Sequence, residues 1–217
     1  MKTVAFVTQK GGTGKSSLAV SMAVAAQERG LKVYVIDLDP QGTAKSWYER
    51  REAPSPEVAT IETPQLPAAL ATLARQGYDL ALIDTAGVDS PATTAAMQAA
   101  DLCLIPARPS IADIEATRPT VRTLSRLGRP FSFVLNQCPP GRTIRTSDAF
   151  RVLNLAGAVA GTAMAMRADH LDSMAMGLGV TERDPTGKAA SEMRELLQWV
   201  TTRLEGKTNG QEETRVA

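Results

Sequence analysis

The chain alternates short apolar runs with longer stretches in which apolar residues recur every three or four positions. Residues 4–8 (Val-Ala-Phe-Val-Thr) are an unbroken run closed by a glycine-rich turn, the pattern of a strand buried on both faces. Over 16–29, Leu18, Met22, Ala25 and Ala26 fall on one helical face, and Gly30 supplies the stop. A second apolar run over 32–36 leads into Asp37-Leu38-Asp39-Pro40. Strand, glycine-rich turn, helix and strand in that order make a βαβ unit.

The pattern then continues. It predicts helices over 43–51, 66–76, 91–100, 111–127, 146–155 and 191–204, and strands over 80–83, 102–105, 131–135 and 159–164. Alternation of this kind implies an α/β fold: a mostly parallel sheet with helices on both faces, forming one domain over 1–205. Several predicted strands run out into polar residues, namely Lys10, Asp39, Asp84 and Asn136. Open α/β sheets bind ligands at the carboxyl ends of their strands, so these residues converge where a site is expected. Residues 206–217 are polar and aperiodic and read as a disordered C-terminal tail.

Composition narrows the picture. A chain of 217 residues is long enough for one sizeable domain. Its formal net charge of +1 excludes a polyelectrolyte, so any nucleic-acid contact must come from a local basic patch. Aromatics at 4% argue against base stacking. Cys103 and Cys138 belong to no CxxC pair, which points to reduced thiols rather than zinc or a disulfide. No run of about 18 apolar residues is present, so no membrane span is expected. The N-terminus enters a strand at once and leaves no room for a signal peptide; a cytoplasmic location is expected.

The strongest chemical signal is Lys10-Gly11-Gly12-Thr13-Gly14-Lys15-Ser16-Ser17, directly after the first strand. Glycines let the backbone wrap closely enough for N–H groups to face phosphate oxygens, and a helix opening at Lys15 adds its positive end. Lys15 supplies a cation for the outer phosphates, and the Ser16 hydroxyl can ligate Mg²⁺. The usual GxxxxGK[ST] pattern is broken at its first glycine, where Gln9 stands.

The departure has a meaning of its own. KGGxxK[ST], matched by Lys10 through Ser16, is the deviant Walker A form, and the chain resembles the ParA/MinD family of P-loop ATPases. The resemblance extends through Val35–Gly42 (like the family's switch I), Ala81–Gly87 (like its Walker B and switch II), 104–110, and Val134-Leu135-Asn136-Gln137, to about residue 204. It implies ATP and Mg²⁺ as cofactors. It implies that Lys10 is a signature lysine reaching the phosphates of a partner subunit's ATP, that Asp39 orients the attacking water or holds Mg²⁺ through water, and that Asp84 serves Mg²⁺. Lys10, Lys15 and Asp39 are thus the catalytic candidates. Residues 10–17 and Asn136, which can offer both a donor and an acceptor to adenine, bind nucleotide. Ser16, Asp39 and Asp84 are the metal candidates. Asp37, two positions before Asp39, faces the same way if the strand continues that far. His170, the only histidine, reads as a surface residue.

Within the superfamily, no cysteine lies close after the Asp84 region to hold an iron–sulfur cluster, the tail after Gly206 has no apolar face to serve as a membrane anchor, and no tyrosine cluster ends the chain. The resemblance therefore implies an ATP-dependent homodimer that binds nonspecific duplex DNA and positions a plasmid, chromosome or protein cargo near the nucleoid. A ParB-like or cargo-adaptor protein would trigger hydrolysis. A metabolic ATP-dependent ligase is the alternative, though it would not need Lys10. Candidate phosphate contacts on DNA are Arg142, Arg145 and Arg151 around one loop and helix, with Arg167, Arg183, Lys188 and Arg194 further on.

Overall fold

The structure is a computed structural model describing residues 1–141 and 143–206; Arg142 and the expected tail over 207–217 lie outside the described residues. A six-stranded, wholly parallel sheet has the order β3-β2-β4-β1-β5-β6. The strands are β1 (Lys2–Phe6), β2 (Val33–Asp37), β3 (Glu57–Thr60), β4 (Leu80–Asp84), β5 (Leu102–Ala107) and β6 (Phe131–Leu135). The helices are α1 (Lys15–Glu28), α2 (Thr43–Glu49), α3 (Leu66–Arg75), α4 (Pro91–Ala99), α5 (Ile111–Leu127), α6 (Ile144–Asn154), α7 (Ala168–Met176), α8 (Val180–Arg183) and α9 (Lys188–Leu204).

Side chains alternate across a strand, and here both sides are covered, so both must be apolar. Val4, Phe6, Val33, Val35, Leu80, Leu82, Leu102 and Leu104 point into one core with α1, α2, α8 and α9. Ala5, Ile36, Ile83, Cys103 and Ile105 point into the other, with α3, α4, α5 and α6. Each such Leu or Ile, fully withdrawn from water, stabilises the fold by about 1.5–3 kcal/mol. Cys103 and Cys138 are both free and buried, and burial pushes their thiols up to about 12 and about 11.

Some elements differ from expectation. The apolar stripe expected on α1 is instead a fully buried cylinder: Leu18 through Ala26 are all inside. Small residues make this possible, because alanines and Ser21 let the sheet, α2, α8 and α9 approach from every side. By contrast α9 keeps a one-sided stripe of Ala189, Met193, Leu196, Leu197 and Val200. β3 and α8 have no counterpart in the sequence pattern, and α7 shows there only as a helix start at Arg167-Ala168-Asp169-His170; β3 buries only Val58 and so lacks an apolar run.

The strand expected over 159–164 is not continuous. Ala160 N donates to Phe133 O (2.9 Å) and Met164 N to Leu135 O (2.9 Å), so this segment advances further than β6 does between the same two bonds. Extra residues around Gly161 bulge out, leaving only isolated bridges Phe133↔Val159 and Cys138↔Ala165.

Candidate nucleotide-binding site

The central strands deliver the site. β1 lies between β4 and β5, and its carboxyl end opens into the loop over 7–14. Gly12 (φ 74°) and Gly14 (φ 88°) hold left-handed conformations that a side chain disfavours, and Gly14 caps α1. A Cβ on Gly14 would collide with Asn136 Nδ2. The loop is laced to the end of β6 by Asn136 Nδ2 donating to Thr13 O (2.7 Å) and Gln137 Nε2 donating to Gly12 O (3.0 Å). Gln137 itself holds φ 53°, the only non-glycine with positive φ among the described residues. On the other side, Gly87 in the loop after β4 presses on the phosphate loop: a Cβ there would lie 2.6 Å from Gly11 N.

Lys15 is the first residue of α1 and is buried, its Nζ donating to Lys10 O (3.4 Å). Burial holds its ammonium below the usual lysine value, while Asp84 and Asp39 nearby act in the opposite direction. Asp84 closes β4 between Phe6 of β1 and Asp37 of β2. It is fully buried, and neither carboxylate oxygen has a hydrogen-bond partner among the described residues. Burial pushes its carboxyl up to about 7; Ser16 and Lys15 oppose this, and Asp37 and Asp39 add to it. Thr13 Oγ1 is likewise buried without a partner.

These orphaned oxygens are what a magnesium nucleotide would satisfy. The described residues hold no cluster of three His, Cys, Asp or Glu that could bind a metal. That donor set still suits Mg²⁺, which keeps its waters and takes one or two protein oxygens plus phosphates. Ser16 stands beside Asp84, as that arrangement needs.

Asp37 and Asp39 do not act as a pair. β2 ends at Asp37, so the strand does not carry on to Asp39. Asp37 is fully buried and turns both oxygens to backbone, accepting from Asp39 N (3.0 Å) and Lys45 N (3.0 Å). It thereby fastens the following loop and the first turn of α2. Burial raises its carboxyl, with those backbone donors acting against the rise. Asp39 is half-buried in the loop, where Oδ1 accepts from Gln41 N (3.0 Å).

Beside the loop a cavity of about 290 Å³ is lined by Gly14, Ser17, Asn136, Met166, Arg167 and His170, among others. Asn136 is therefore at the expected cavity, with one of its two amide N–H groups given to the phosphate loop. His170 corrects its sequence reading. It is half-buried on α7, its Nε2 is enclosed without a partner, and burial lowers its imidazole below the usual value against the pull of Glu192 and Asp169. The first turn of α7 folds over the cavity, which a lone histidine in a polar stretch does not announce.

The far end of α7 is tied to α2. Trp47 Nε1 donates to Leu178 O (3.0 Å), and Arg51 donates to Gly177 O (2.9 Å) and bidentately to Glu182. Gly177 rests on the Arg50–Arg51 backbone, with room for no Cβ. One short helix thus spans from the cavity to the element that follows Asp39.

Lys10 is half-buried, and its ammonium pairs with Asp113 Oδ1 at 3.2 Å. Asp113 escaped the sequence reading, although Ser110-x-x-Asp113 is the pattern of a capped helix start. Among the basic residues proposed for DNA, Arg167 pairs with Glu192, Arg183 with Asp172 (3.1 Å) and Arg194 with Glu28 (3.1 Å). Arg145, Arg151 and Lys188 are exposed, Arg151 lying 3.8 Å from Asp148.

Residues 4–59 match the family model of the CobQ/CobB/MinD/ParA nucleotide binding domain. The maintenance of carboxysome distribution protein A of Gloeobacter kilaueensis is 34% identical over 161 residues, covering 72% of each chain. Protein IncC of Escherichia coli is 29% identical, covering 94% of this chain and 70% of its own. The septum site-determining protein MinD from Pyrococcus horikoshii, solved with Mg-ADP, superimposes with a TM-score of 0.76 at 18% identity, over 96% of this chain and 99% of that one.

Proposed function

The chain belongs to the ParA/MinD family of P-loop nucleotide-binding proteins, and on that premise we propose that it is an ATP-switched dimer that positions a cargo on DNA. The observation that carries this reading is the second lysine. Lys15 already supplies the buried cation beneath the loop, whereas Lys10 sits at the loop's entrance with its ammonium on Asp113. A cation so placed is spare within one subunit and useful across an interface, where it stabilises charge developing on a transferring phosphoryl group.

In this reading Gly11 through Ser17 cradle the phosphates, and Asn136 and the cavity wall hold the base. Ser16 and Asp84 would hold Mg²⁺, Asp84 through water. When bound, the ion would neutralise phosphate charge. Asp39, whose Oδ2 makes no hydrogen bond to the described residues, orients the attacking water. Asp37, with both oxygens held by backbone, fixes the loop that carries Asp39. A relative's name supports a positioning role, since that protein maintains carboxysome distribution.

The test is sedimentation and fluorescence anisotropy with ATP or ADP on two unrelated duplexes. The expected result is a dimer that binds both duplexes equally with ATP, and a monomer that binds neither with ADP. Phosphate should be the sole product besides ADP. Tight binding with ADP, strong preference for one duplex, or a phosphorylated or amidated small molecule would overturn the proposal.

A further inference from the structure

Asp113 stands in the first turn of α5 with 5% of its surface exposed. Its Oδ1 takes Lys10 Nζ (3.2 Å) and Arg108 Nε (3.0 Å), while Ser110 Oγ donates to Oδ2. The Asp113 N–H in turn donates to Ser110 Oγ (3.2 Å), capping the helix. Burial alone would raise this carboxyl; the donors from Ser110, Arg108 and Lys10 together outweigh it and hold the group below its usual value. Asp113 is therefore a fixed negative charge in reach of the lysine.

The three donors are not equivalent. Ser110 and Arg108 belong to the same short segment as Asp113, so their contacts survive any movement of the phosphate loop. Lys10 comes from a different part of the chain, and its side chain is 29% exposed, with a path to solvent. A buried carboxylate stripped of its only cation is strongly destabilising. Here Arg108 shares the same oxygen, so Lys10 can leave without exposing a bare buried charge.

We propose that Asp113 is a positioning residue that holds Lys10 within its own subunit and releases it when a second subunit presents a nucleoside triphosphate, Arg108 keeping the carboxylate compensated. This rests on the reading that Lys10 acts in trans. The hold sets a threshold for pairing, because a symmetric dimer must undo it in both subunits. A partly exposed ion pair is worth about threefold in an equilibrium, so two of them amount to about tenfold.

The experiment uses the full chain with Mg²⁺ and a nonhydrolysable ATP analogue in sedimentation equilibrium. Asp113→Asn should tighten the dimer about tenfold. Arg108→Gln should weaken it severalfold, because Lys10 becomes the only cation on a buried charge. In the nucleotide-free protein, acetic anhydride labelling of Lys10, read by peptide mass, should quicken severalfold in Asp113→Asn and slow in Arg108→Gln. Ser110→Ala, which removes the helix cap and leaves both cations, should lower the melting temperature and change neither readout.

An unchanged or weaker dimer in Asp113→Asn overturns the hold, as does Lys10 labelling at the wild-type rate. If Asp113→Asn does not fold, Arg108→Gln decides: an unchanged or tighter dimer overturns the hold. Lys10→Ala separates the two readings. If it pairs as wild type does, Lys10 does not act in trans. If it stays monomeric while Asp113→Asn matches wild type, only the hold is wrong.

Discussion

Asp84 offers a quantitative test of what a buried, unpartnered carboxylate costs the fold. Its carboxyl is buried with no hydrogen bond to either oxygen among the described residues, and burial moves it from the ordinary 3.8 to about 7. Between those values the folded protein binds a proton that the unfolded chain has released, so stability falls as pH rises through this window. At ~1.4 kcal/mol per pH unit the loss totals about 4 kcal/mol by pH 8. Asp84→Asn removes the charge and most of this cost. In EDTA and without nucleotide, urea unfolding at pH 5, 6, 7 and 8 should therefore show the variant gaining on wild type as pH rises. By pH 8 the gain should be about 4 kcal/mol, of which about 1–2 kcal/mol is already present at pH 5, and it should be near zero only below about pH 4. The same variant should lose ATP hydrolysis, because the charge that destabilises the nucleotide-free protein is the one proposed above to serve Mg²⁺. Parallel stability profiles for the two proteins across pH 5–8 would refute the reasoning.

Lys15→Met should abolish ATP binding in calorimetry, since it removes the only buried ammonium among the described residues; near-normal affinity would exclude Lys15 from the phosphate site. Asp39→Ala should bind ATP and stop turnover, leaving dimers that persist in sedimentation, and hydrolysis at the wild-type rate would move the role elsewhere. Gly87→Ala drives a Cβ to 2.6 Å from Gly11 N; this overpacking should cost about 1–3 kcal/mol in unfolding experiments and weaken ATP binding, and a silent substitution would show that the two loops do not rest on each other. Replacing Arg145 and Lys188 together should flatten the salt dependence of DNA binding, by about 0.9 in the logarithmic slope for every phosphate that a subunit no longer neutralises, whereas an unchanged slope would locate the DNA-binding surface elsewhere.

The sheet and the phosphate loop were legible because both leave local signatures. Strands covered on both faces read as unbroken apolar runs, and a glycine-rich turn ending in Lys-Ser has few other uses. What escaped was settled by contacts distant in sequence. Period-two spacing placed Asp37 beside Asp39, but the strand stops at Asp37, whose oxygens are drawn to the backbone of Asp39 and Lys45. His170 sits in a polar stretch and becomes a cavity wall only because Trp47 and Arg51 pin the far end of its helix. Three of the arginines offered to DNA face carboxylates from 11 to 166 positions away, a pairing that no local pattern displays. Asp113 carried a readable helix-start pattern, yet nothing near it in sequence ties it to Lys10.

The interrupted segment beside β6 bears on how copies of this chain can assemble. Exposed strand edges are templates for further strands and lead to open-ended aggregates. Here the backbone groups of Phe133, Leu135 and Cys138 that would recruit a newcomer are taken by residues 158–166, whose own bulge breaks the regular spacing a further strand would need. At the opposite margin β3 is four residues long and follows directly on Pro56. With both margins blunted, sideways growth through the sheet is closed. Association is left to the helical faces and to the loops at the strands' carboxyl ends, where the proposed nucleotide-dependent pair would close.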